Sequence, residues 1–157
     1  MAVKSDVVDA VKALVGAHPN LPLYVTGHSL GAALAALAAS ELAHGQSLPV
    51  TAVYTFGQPR VGNQAFQAFY NTGPHVAWRV THWKDPVPHL PMKALGFHHV
   101  STEVWYDHED SSSYRVCDGS GEDGSCSNSV ASTSLLHIAD HHTYINIDID
   151  GAGPDTC

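Results

Sequence analysis

The pentapeptide Gly27-His28-Ser29-Leu30-Gly31 constrains the fold of this chain most strongly, because its two flanks differ in character. The segment before it, Leu21–Thr26, has the pattern of a buried strand, and Ser29–His44 is an apolar, alanine-rich stretch typical of a core helix. Glycine at both ends allows close approach of neighbouring backbone, where a Cβ atom would clash. The sequence therefore predicts a sharp strand-to-helix turn with Ser29 at its tip.

Apolar periodicity predicts further helices and strands in alternation along the chain. The predicted helices are Ser5–His18 and Asn63–Tyr70, and the predicted strands are Val50–Phe56, Val76–Thr81 and an edge-type strand at His98–Tyr106, with Tyr114–Cys117 as its candidate partner and Ile145–Ile149 as a last apolar piece. Ser111–Ser134, rich in Ser, Gly and Asp, is predicted to be a long surface loop. This order predicts an α/β fold with a mostly parallel sheet and helices on both faces.

Composition limits the class of protein and of partner. The 157 residues, 44% hydrophobic and 14% charged, suit one domain with a real core. A formal net charge of −8 argues against nucleic acid as a partner. Leu30–Ala43 is shorter than the roughly 20 residues of a transmembrane helix, and Met1–Lys12 lacks the pattern of a secretory signal.

The three cysteines indicate one local disulfide. Cys117 and Cys126 enclose a flexible segment of Asp, Gly, Ser and Glu, which can close into a short bridged loop. Such a bridge indicates an oxidising compartment. Cys157 has no third partner, so it is either a free thiol or bonded to a cysteine outside this chain, and we favour the second interpretation.

The pentapeptide has the form G-x-S-x-G, which in a strand–turn–helix setting is the nucleophile elbow of α/β-hydrolases. The strained turn would raise the Ser29 hydroxyl clear of the sheet. The Leu30 N–H would lie at a helix N-terminus, where it can donate to a developing oxyanion. The sequence therefore predicts an α/β fold of the hydrolase type, with Ser29 as the candidate nucleophile.

A serine nucleophile needs a histidine base and a carboxylate that orients it, in the chain order serine, acid, histidine. Asp85 is the best acid, because it follows a predicted strand and is fixed by Pro86. The candidate bases are His137, His141 and His142, and spacing alone does not choose among them.

Other titratable residues receive structural interpretations. Asp140 adjoins His141 in sequence, but adjacent side chains face each other poorly, so it is predicted to be a helix cap. His98 and His99 are predicted to have a surface role beside the edge strand. Although histidines abound, no H-E-x-x-H and no paired-cysteine spacing is present, so no metal site is predicted. The Ser-His-Asp mechanism needs no cofactor, so none is predicted.

Three collinear segments resemble the class 3, or fungal-type, triacylglycerol lipases, a family that includes fungal feruloyl esterases. They are Val25-Thr-Gly-His-Ser-Leu-Gly-Ala-Ala-Leu-Ala, Thr55-Phe-Gly-Gln-Pro-Arg-Val-Gly-Asn63, and Arg79-Val-Thr-His-Trp-Lys-Asp-Pro-Val-Pro-His-Leu-Pro91. Phe97-His-His-Val resembles the strand that follows. In the third segment Asp85 falls on the family's catalytic aspartate. The family places its catalytic histidine three residues before a tyrosine, which selects His141 before Tyr144.

The resemblance implies a secreted serine esterase that hydrolyses triacylglycerols, makes transient contact with a lipid interface and needs no cofactor. Feruloyl or other soluble esters are the alternative substrates. Family members also carry upstream strands, a lid helix and a loop N–H that completes the oxyanion hole. The resemblance therefore implies that residues 1–157 are the C-terminal portion of a single α/β-hydrolase domain without those parts, and that Cys157 pairs with an N-terminal cysteine. Losing one oxyanion donor costs roughly 2.7–4 kcal/mol of barrier, so an inactive truncated hydrolase is a further alternative.

Overall fold

A computed structural model describes residues 3–100, 102–130 and 137–151. The helices are α1 (Lys4–Ala17), α2 (Leu30–Ser40), α3 (Gln64–Tyr70) and α4 (Ala139–His142). The strands are β1 (Leu23–His28), β2 (Val50–Phe56), β3 (Val76–His82), β4 (Glu103–Tyr106), β5 (Arg115–Val116), β6 (Thr143–Tyr144) and β7 (Ile147–Asp148). Short 3-10 turns lie at Val87–His89, Lys93–Leu95 and Ser127–Ser129.

The strands β1 to β5 form one sheet in sequence order, so β1 lies at an edge. Strands β1, β2, β3 and β4 pair in parallel, and β5 pairs antiparallel with β4. The predicted α/β class and mostly parallel sheet are confirmed. The predicted edge-type strand over His98–Tyr106 is too long, because only Glu103–Tyr106 is strand. Its predicted partner within Tyr114–Cys117 is confirmed as β5.

The helices are distributed unevenly over the two faces of the sheet. Val25, Val53 and Ala77 are aligned by the strand register and pack with residues of α1, α2 and α3. Side chains alternate along a strand, so Tyr24 and Tyr54 point to the opposite face, where both are exposed. On that second face, helix α4 lies beside His28, whose ring is 4.5 Å from the ring of His141 in α4. The predicted helices on both faces are therefore present but very unequal.

Helix α2 packs through its smallest side chains. Ala32, Ala36 and Ala39 are completely buried, and their lack of bulk allows the helix to lie close to β1 and β2. The larger Leu30, Leu34 and Leu37 are exposed, so the predicted core helix is buried along one side only. The end of the predicted helix Ser29–His44 is π-helical, over Glu41–Gly45.

The prediction of a surface loop over Ser111–Ser134 is wrong for its central part; its residues 131–136 lie outside the described residues. Glu122 is almost fully buried and forms a two-point ion pair with buried Arg60, at 2.7 and 3.0 Å. Burial raises the pKa of Glu122, but the Arg60 hydrogen bonds and the His99 N–H outweigh burial, so the pKa lies below its usual value. A buried ion pair of this kind requires partners distant in sequence, which local composition does not reveal.

The ion pair also fixes the loop that follows β3. The Arg60 guanidinium donates to the carbonyl oxygens of His89 at 2.7 Å and Pro91 at 3.0 Å. Cys117 and Cys126 are joined by a disulfide, as predicted, and both are buried against Trp105. Cys157 lies outside the described residues. Within the described residues, no helix is both long and apolar enough for a bilayer span.

Candidate active site

Ser29 lies at a strained turn between β1 and α2. Its backbone has φ 56° and ψ −128°, a left-handed region that residues with a side chain rarely adopt. The Ser29 N–H donates to the carbonyl oxygen of Phe56 at 3.0 Å, which ties the turn to the end of β2. The predicted elbow is therefore present in the backbone.

The two glycines of the pentapeptide have different structural roles. A Cβ atom on Gly27 would lie 2.3 Å from the carbonyl oxygen of Gly31, so this position excludes any side chain. A Cβ atom on Gly31 would meet nothing within 4 Å outside its own helix. Gly27 thus makes room for the turn, whereas the Gly31 backbone occupies that room.

Leu30 is the first residue of α2, so its N–H has no partner within the helix. The Leu30 side chain is exposed. A donor at a helix N-terminus beside the Ser29 hydroxyl suits a developing negative charge. The geometry is compatible with the oxyanion role predicted for the Leu30 N–H.

Asp85 and His141 are brought together although 56 residues separate them. Asp85 follows β3, and its Oδ2 lies 2.8 Å from His141 Nδ1, with both side chains buried. Asp85 Oδ1 accepts from the Val87 N–H at 2.8 Å. Because a carboxylate accepts, His141 Nδ1 carries the proton, and His141 Nε2 is left as a base.

The other candidate bases lie away from Asp85. His142 Nδ1 pairs with Asp150 Oδ2 at 2.6 Å on the surface, and His137 is exposed. Two structural interpretations are wrong. Asp140 is not a cap, since its Oδ2 accepts from the Lys84 N–H at 3.3 Å and α4 has no side-chain cap. His99 is buried, with Nε2 at 2.7 Å from the Pro88 carbonyl oxygen.

The expected hydrogen bond between nucleophile and base is not formed in the described structure. Among the described residues, the Ser29 hydroxyl makes no hydrogen bond, either to His141 or to another group. Asp85 and His141 are already paired, and the ring of His28, the residue before Ser29, lies 4.5 Å from the His141 ring. Contacts of this kind often tighten only when substrate binds.

Sequence reasoning missed Gly57 as part of the site. Its φ is +57°, and a Cβ atom there would lie 2.8 Å from His141 Cε1 and 3.0 Å from Asp85 Oδ2. The bare backbone of Gly57 therefore forms one wall against the Asp85–His141 pair. Its position directly after the predicted strand β2 was the available signal.

Tyr144 is a second residue whose role was missed, since the sequence used it only to select His141. Its hydroxyl donates to Asp85 Oδ2 at 2.5 Å, and its ring is buried. Burial, reinforced by the negative charge of Asp85, raises the pKa of Tyr144 well above its usual value. Tyr144 therefore remains a proton donor to Asp85.

One group of potential metal ligands lies elsewhere in the described residues. Glu103 lies near the sulfur atoms of Cys117 and Cys126, with all three residues buried. Both sulfurs belong to the disulfide, so neither is available as a thiolate ligand. This group therefore offers one carboxylate rather than a metal site.

Comparison with known proteins identifies the family of this chain. Residues 1–95 match the model of the family Lipase (class 3). The chain is 38% identical over 156 residues to secreted mono- and diacylglycerol lipase A of Penicillium cyclopium, covering 97% of this chain and 50% of that protein. It is also 38% identical over 150 residues to a lipase of Rhizomucor miehei, covering 93% of this chain and 40% of that protein.

Solved structures show the same relationship. A native Rhizomucor miehei lipase–propeptide complex superimposes with a TM-score of 0.84 at 34% identity, over 93% of this chain and 47% of that one. A triacylglycerol lipase described as having a serine-protease triad at its catalytic centre gives a TM-score of 0.85 at 35% identity, over 93% and 56%. The chain thus spans about half the length of its relatives. On the family match and these similarities, the chain belongs to the class 3 lipases.

Proposed function

We propose that this chain carries the catalytic triad of a carboxylic ester hydrolase, with Ser29 as nucleophile, His141 as base and Asp85 as orienting acid. The observation that carries the proposal is a serine in a strained strand-to-helix turn beside a buried, hydrogen-bonded Asp85–His141 pair. Residues 1–157 would form part of a single α/β-hydrolase domain. No cofactor takes part in this chemistry.

In the proposed reaction, His141 Nε2 takes the Ser29 hydroxyl proton as the serine oxygen bonds to the ester carbonyl carbon. The Leu30 N–H stabilises the resulting oxyanion. His141 then returns the proton to the leaving alcohol, and the carbon–oxygen bond to that alcohol breaks. Water, deprotonated by His141, releases the acid and restores Ser29. Asp85 stabilises the imidazolium formed on the way.

Acylglycerols are the proposed substrates, with triacylglycerol first. Two kinds of relative support this class: lipases named for mono- and diacylglycerols, and a solved triacylglycerol lipase. The exposed leucines of α2, beginning with Leu30 beside the nucleophile, offer apolar surface for transient contact with a lipid interface. Feruloyl or other soluble esters remain the alternative substrate class.

Secretion is part of the proposal. The Cys117–Cys126 disulfide is typical of oxidising compartments. Lipases of Penicillium and Fusarium among the relatives are named as secreted.

A covalent serine-hydrolase probe tests the nucleophile directly. We expect a fluorophosphonate to label the folded 157-residue chain and not Ser29→Ala. His141→Gln and Asp85→Asn should lower the labelling rate by about 10³-fold or more, since each disables the base. His142→Gln is the matched control, because this neighbouring histidine pairs with Asp150 at the surface, and it should label like the parent chain.

Two outcomes would count against the proposal. A folded chain that the probe does not label would favour the inactive-hydrolase alternative, and equal labelling of the His141 and His142 variants would remove His141 as base. Substrate class is tested on tributyrin and triolein emulsions against soluble methyl ferulate. Faster turnover of the ferulate, without dependence on an interface, would exclude the acylglycerol assignment.

A further inference from the structure

Two histidines outside the proposed triad bind consecutive carbonyl groups of the segment that bears His141. His28 Nε2 lies 2.8 Å from the His141 carbonyl oxygen. His82 Nδ1 lies 3.0 Å from the Asp140 carbonyl oxygen, and His82 Nε2 lies 3.0 Å from the Glu109 carbonyl oxygen. A carbonyl oxygen only accepts, so His28 Nε2 donates to the His141 carbonyl oxygen. Neutral His82 has one N–H, and its contact with Asp140 requires that proton on Nδ1, which leaves Nε2 without a proton for Glu109.

These histidines occupy equivalent places in the sheet. His28 ends β1 and His82 ends β3, at the carboxyl edge where the elbow and Asp85 also lie. Residues paired by the register share a face of the sheet, and the register aligns His28 with Phe56 and Phe56 with Val80. His82 lies two residues after Val80, so it returns to that same face. Both imidazoles therefore point to one face of the sheet. The Tyr144 ring lies 5.7 Å from each of them and fills the space between.

The bound segment has little internal support. Helix α4 has four residues, which is one turn, and such a short helix is not stable by itself. Its N-terminal cap, Ile138, offers no side-chain hydrogen bond. The position of the His141 backbone must therefore be set by contacts from outside the helix, and the two carbonyl contacts lie at His141 and at the residue before it.

The protonation state of His28 suits a permanent donor. Burial lowers the pKa of His28, an effect that the hydrogen bond to the His141 carbonyl partly offsets and the nearby His141 ring reinforces. Neutral His28 then carries its proton on Nε2, the nitrogen that faces the His141 carbonyl oxygen. The residue before the nucleophile is in this way linked to the backbone of the base.

We propose that His28 and His82 are positioning residues that fix the His141 segment against the nucleophile elbow. The inference rests on the proposed function, because it assigns them no contact with substrate. The Ser29 hydroxyl and His141 are not hydrogen-bonded in the described structure, so the position of the His141 backbone sets how closely the base approaches the nucleophile. Misplacement of a catalytic group by about 1 Å can cost on the order of 10²-fold in rate.

The two sites allow a crossed test with amide side chains. The amide nitrogen of Gln lies about as far from the backbone as imidazole Nε2, so Gln can replace a histidine that donates through Nε2. The amide nitrogen of the shorter Asn lies about as far out as Nδ1, so Asn can replace a histidine that donates through Nδ1. His28 donates through Nε2, so His28→Gln should retain the contact and His28→Asn should lose it. His82 reaches Asp140 through Nδ1, so His82→Asn should retain the contact and His82→Gln should lose it.

We expect opposite rankings of the two amides at the two positions. With p-nitrophenyl butyrate, kcat should fall by about tenfold or more in His28→Asn and His82→Gln, with KM within about twofold of the parent value because substrate binding is untouched. His28→Gln and His82→Asn should retain most of kcat. A merely structural requirement for a polar side chain would not produce this crossed order.

Proton NMR of the His141 Nδ1–H, hydrogen-bonded to Asp85, separates this inference from the proposed function. The downfield signal should persist in His28→Gln and His82→Asn and should broaden or vanish in the other two variants, whether or not the chain turns over ester. Absent turnover with this NMR pattern would overturn only the function. The same amide order at both positions, or four variants with the parent signal, would overturn the positioning role.

Discussion

At the scale of single residues, Asp85 receives its hydrogen bonds unevenly. Oδ2 accepts from both His141 Nδ1 and the Tyr144 hydroxyl, while Oδ1 accepts from the Val87 backbone. Two donors on one oxygen hold the carboxylate plane in a fixed orientation relative to the imidazole. Tyr144 therefore acts on His141 through Asp85.

Replacing Tyr144 by Phe should lower kcat/KM by about tenfold, which corresponds to about 1.4 kcal/mol of barrier. The free energy of unfolding should fall by about 1.5–3 kcal/mol, the usual value of a hydrogen bond to a charged group. Ester kinetics and urea denaturation measure both effects. Tyr54→Phe is the control, because Tyr54 is exposed on the open sheet face, and equal losses in the two variants would contradict the role of Tyr144.

Gly57 offers a second test at this scale. Gly57→Ala would place a methyl group 2.8 Å from His141 Cε1, and we expect kcat to fall by about 100-fold because the imidazole must shift. Gly96→Ala is a matched control: Gly96 also has a positive φ, of 85°, but its added methyl would meet nothing within 4 Å. That control should lose about 1 kcal/mol of stability and retain its kcat. Equal kcat in both variants would contradict the role of the Gly57 contact with His141.

At the scale of elements, the strand-to-helix turn depends on the close approach of β1 and the first turn of α2. Gly27 and Gly31 appear equivalent in the sequence motif, but only Gly27 lacks room for a side chain. The strand-to-helix turn thus requires glycine at position 27, whereas position 31 has room for a side chain.

Gly27→Ala should destabilise the chain by about 1–3 kcal/mol, as overpacking does, and should abolish fluorophosphonate labelling because Ser29 leaves its strained conformation. Gly31→Ala should leave the free energy of unfolding unchanged or raise it by up to about 1 kcal/mol, since alanine favours the helix. Thermal denaturation followed by circular dichroism compares them. A Gly27→Ala chain as stable as the parent would contradict the steric reading of the turn.

Sequence patterns predicted those elements whose signals are local. Strand β2 has the predicted bounds, and α3 begins after Asn63, whose side chain accepts the Phe66 N–H as a helix cap. The burial of His99 and Glu122 was missed, because it depends on partners such as Arg60, 62 residues from Glu122. The residues alone also left three candidate bases, and only the family resemblance selected the one that contacts Asp85.

At the scale of the whole molecule, burial of neutral histidines links stability to pH. Burial lowers the pKa of His28, His75, His89 and His99, most strongly for His99. A lowered pKa means that the unfolded chain binds more protons than the folded chain once the pH falls below about 6.5. Stability is therefore fully present above that pH and is lost on acidification.

We expect the free energy of unfolding to be lower at pH 5 than at pH 7.5, because the unfolded chain takes up protons that the buried histidines do not. Urea denaturation at both pH values measures the change. His99→Gln should reduce this pH dependence, whereas His18→Gln, on an exposed residue after α1, should leave it intact. A parent chain of equal or greater stability at pH 5 would contradict the assignment.

The position of β1 at the end of the strand order affects how the chain behaves in concentrated solution. Within the described residues, one side of Leu23–His28 carries backbone N–H and C=O groups that no other strand pairs, and Tyr24 adds exposed apolar area beside them. An unpaired edge strand of this kind is a template for strand addition between molecules. Mutual repulsion from the net charge of −8 opposes that association, and added salt screens the repulsion. Colloidal stability should therefore be greatest in dilute, low-salt buffer.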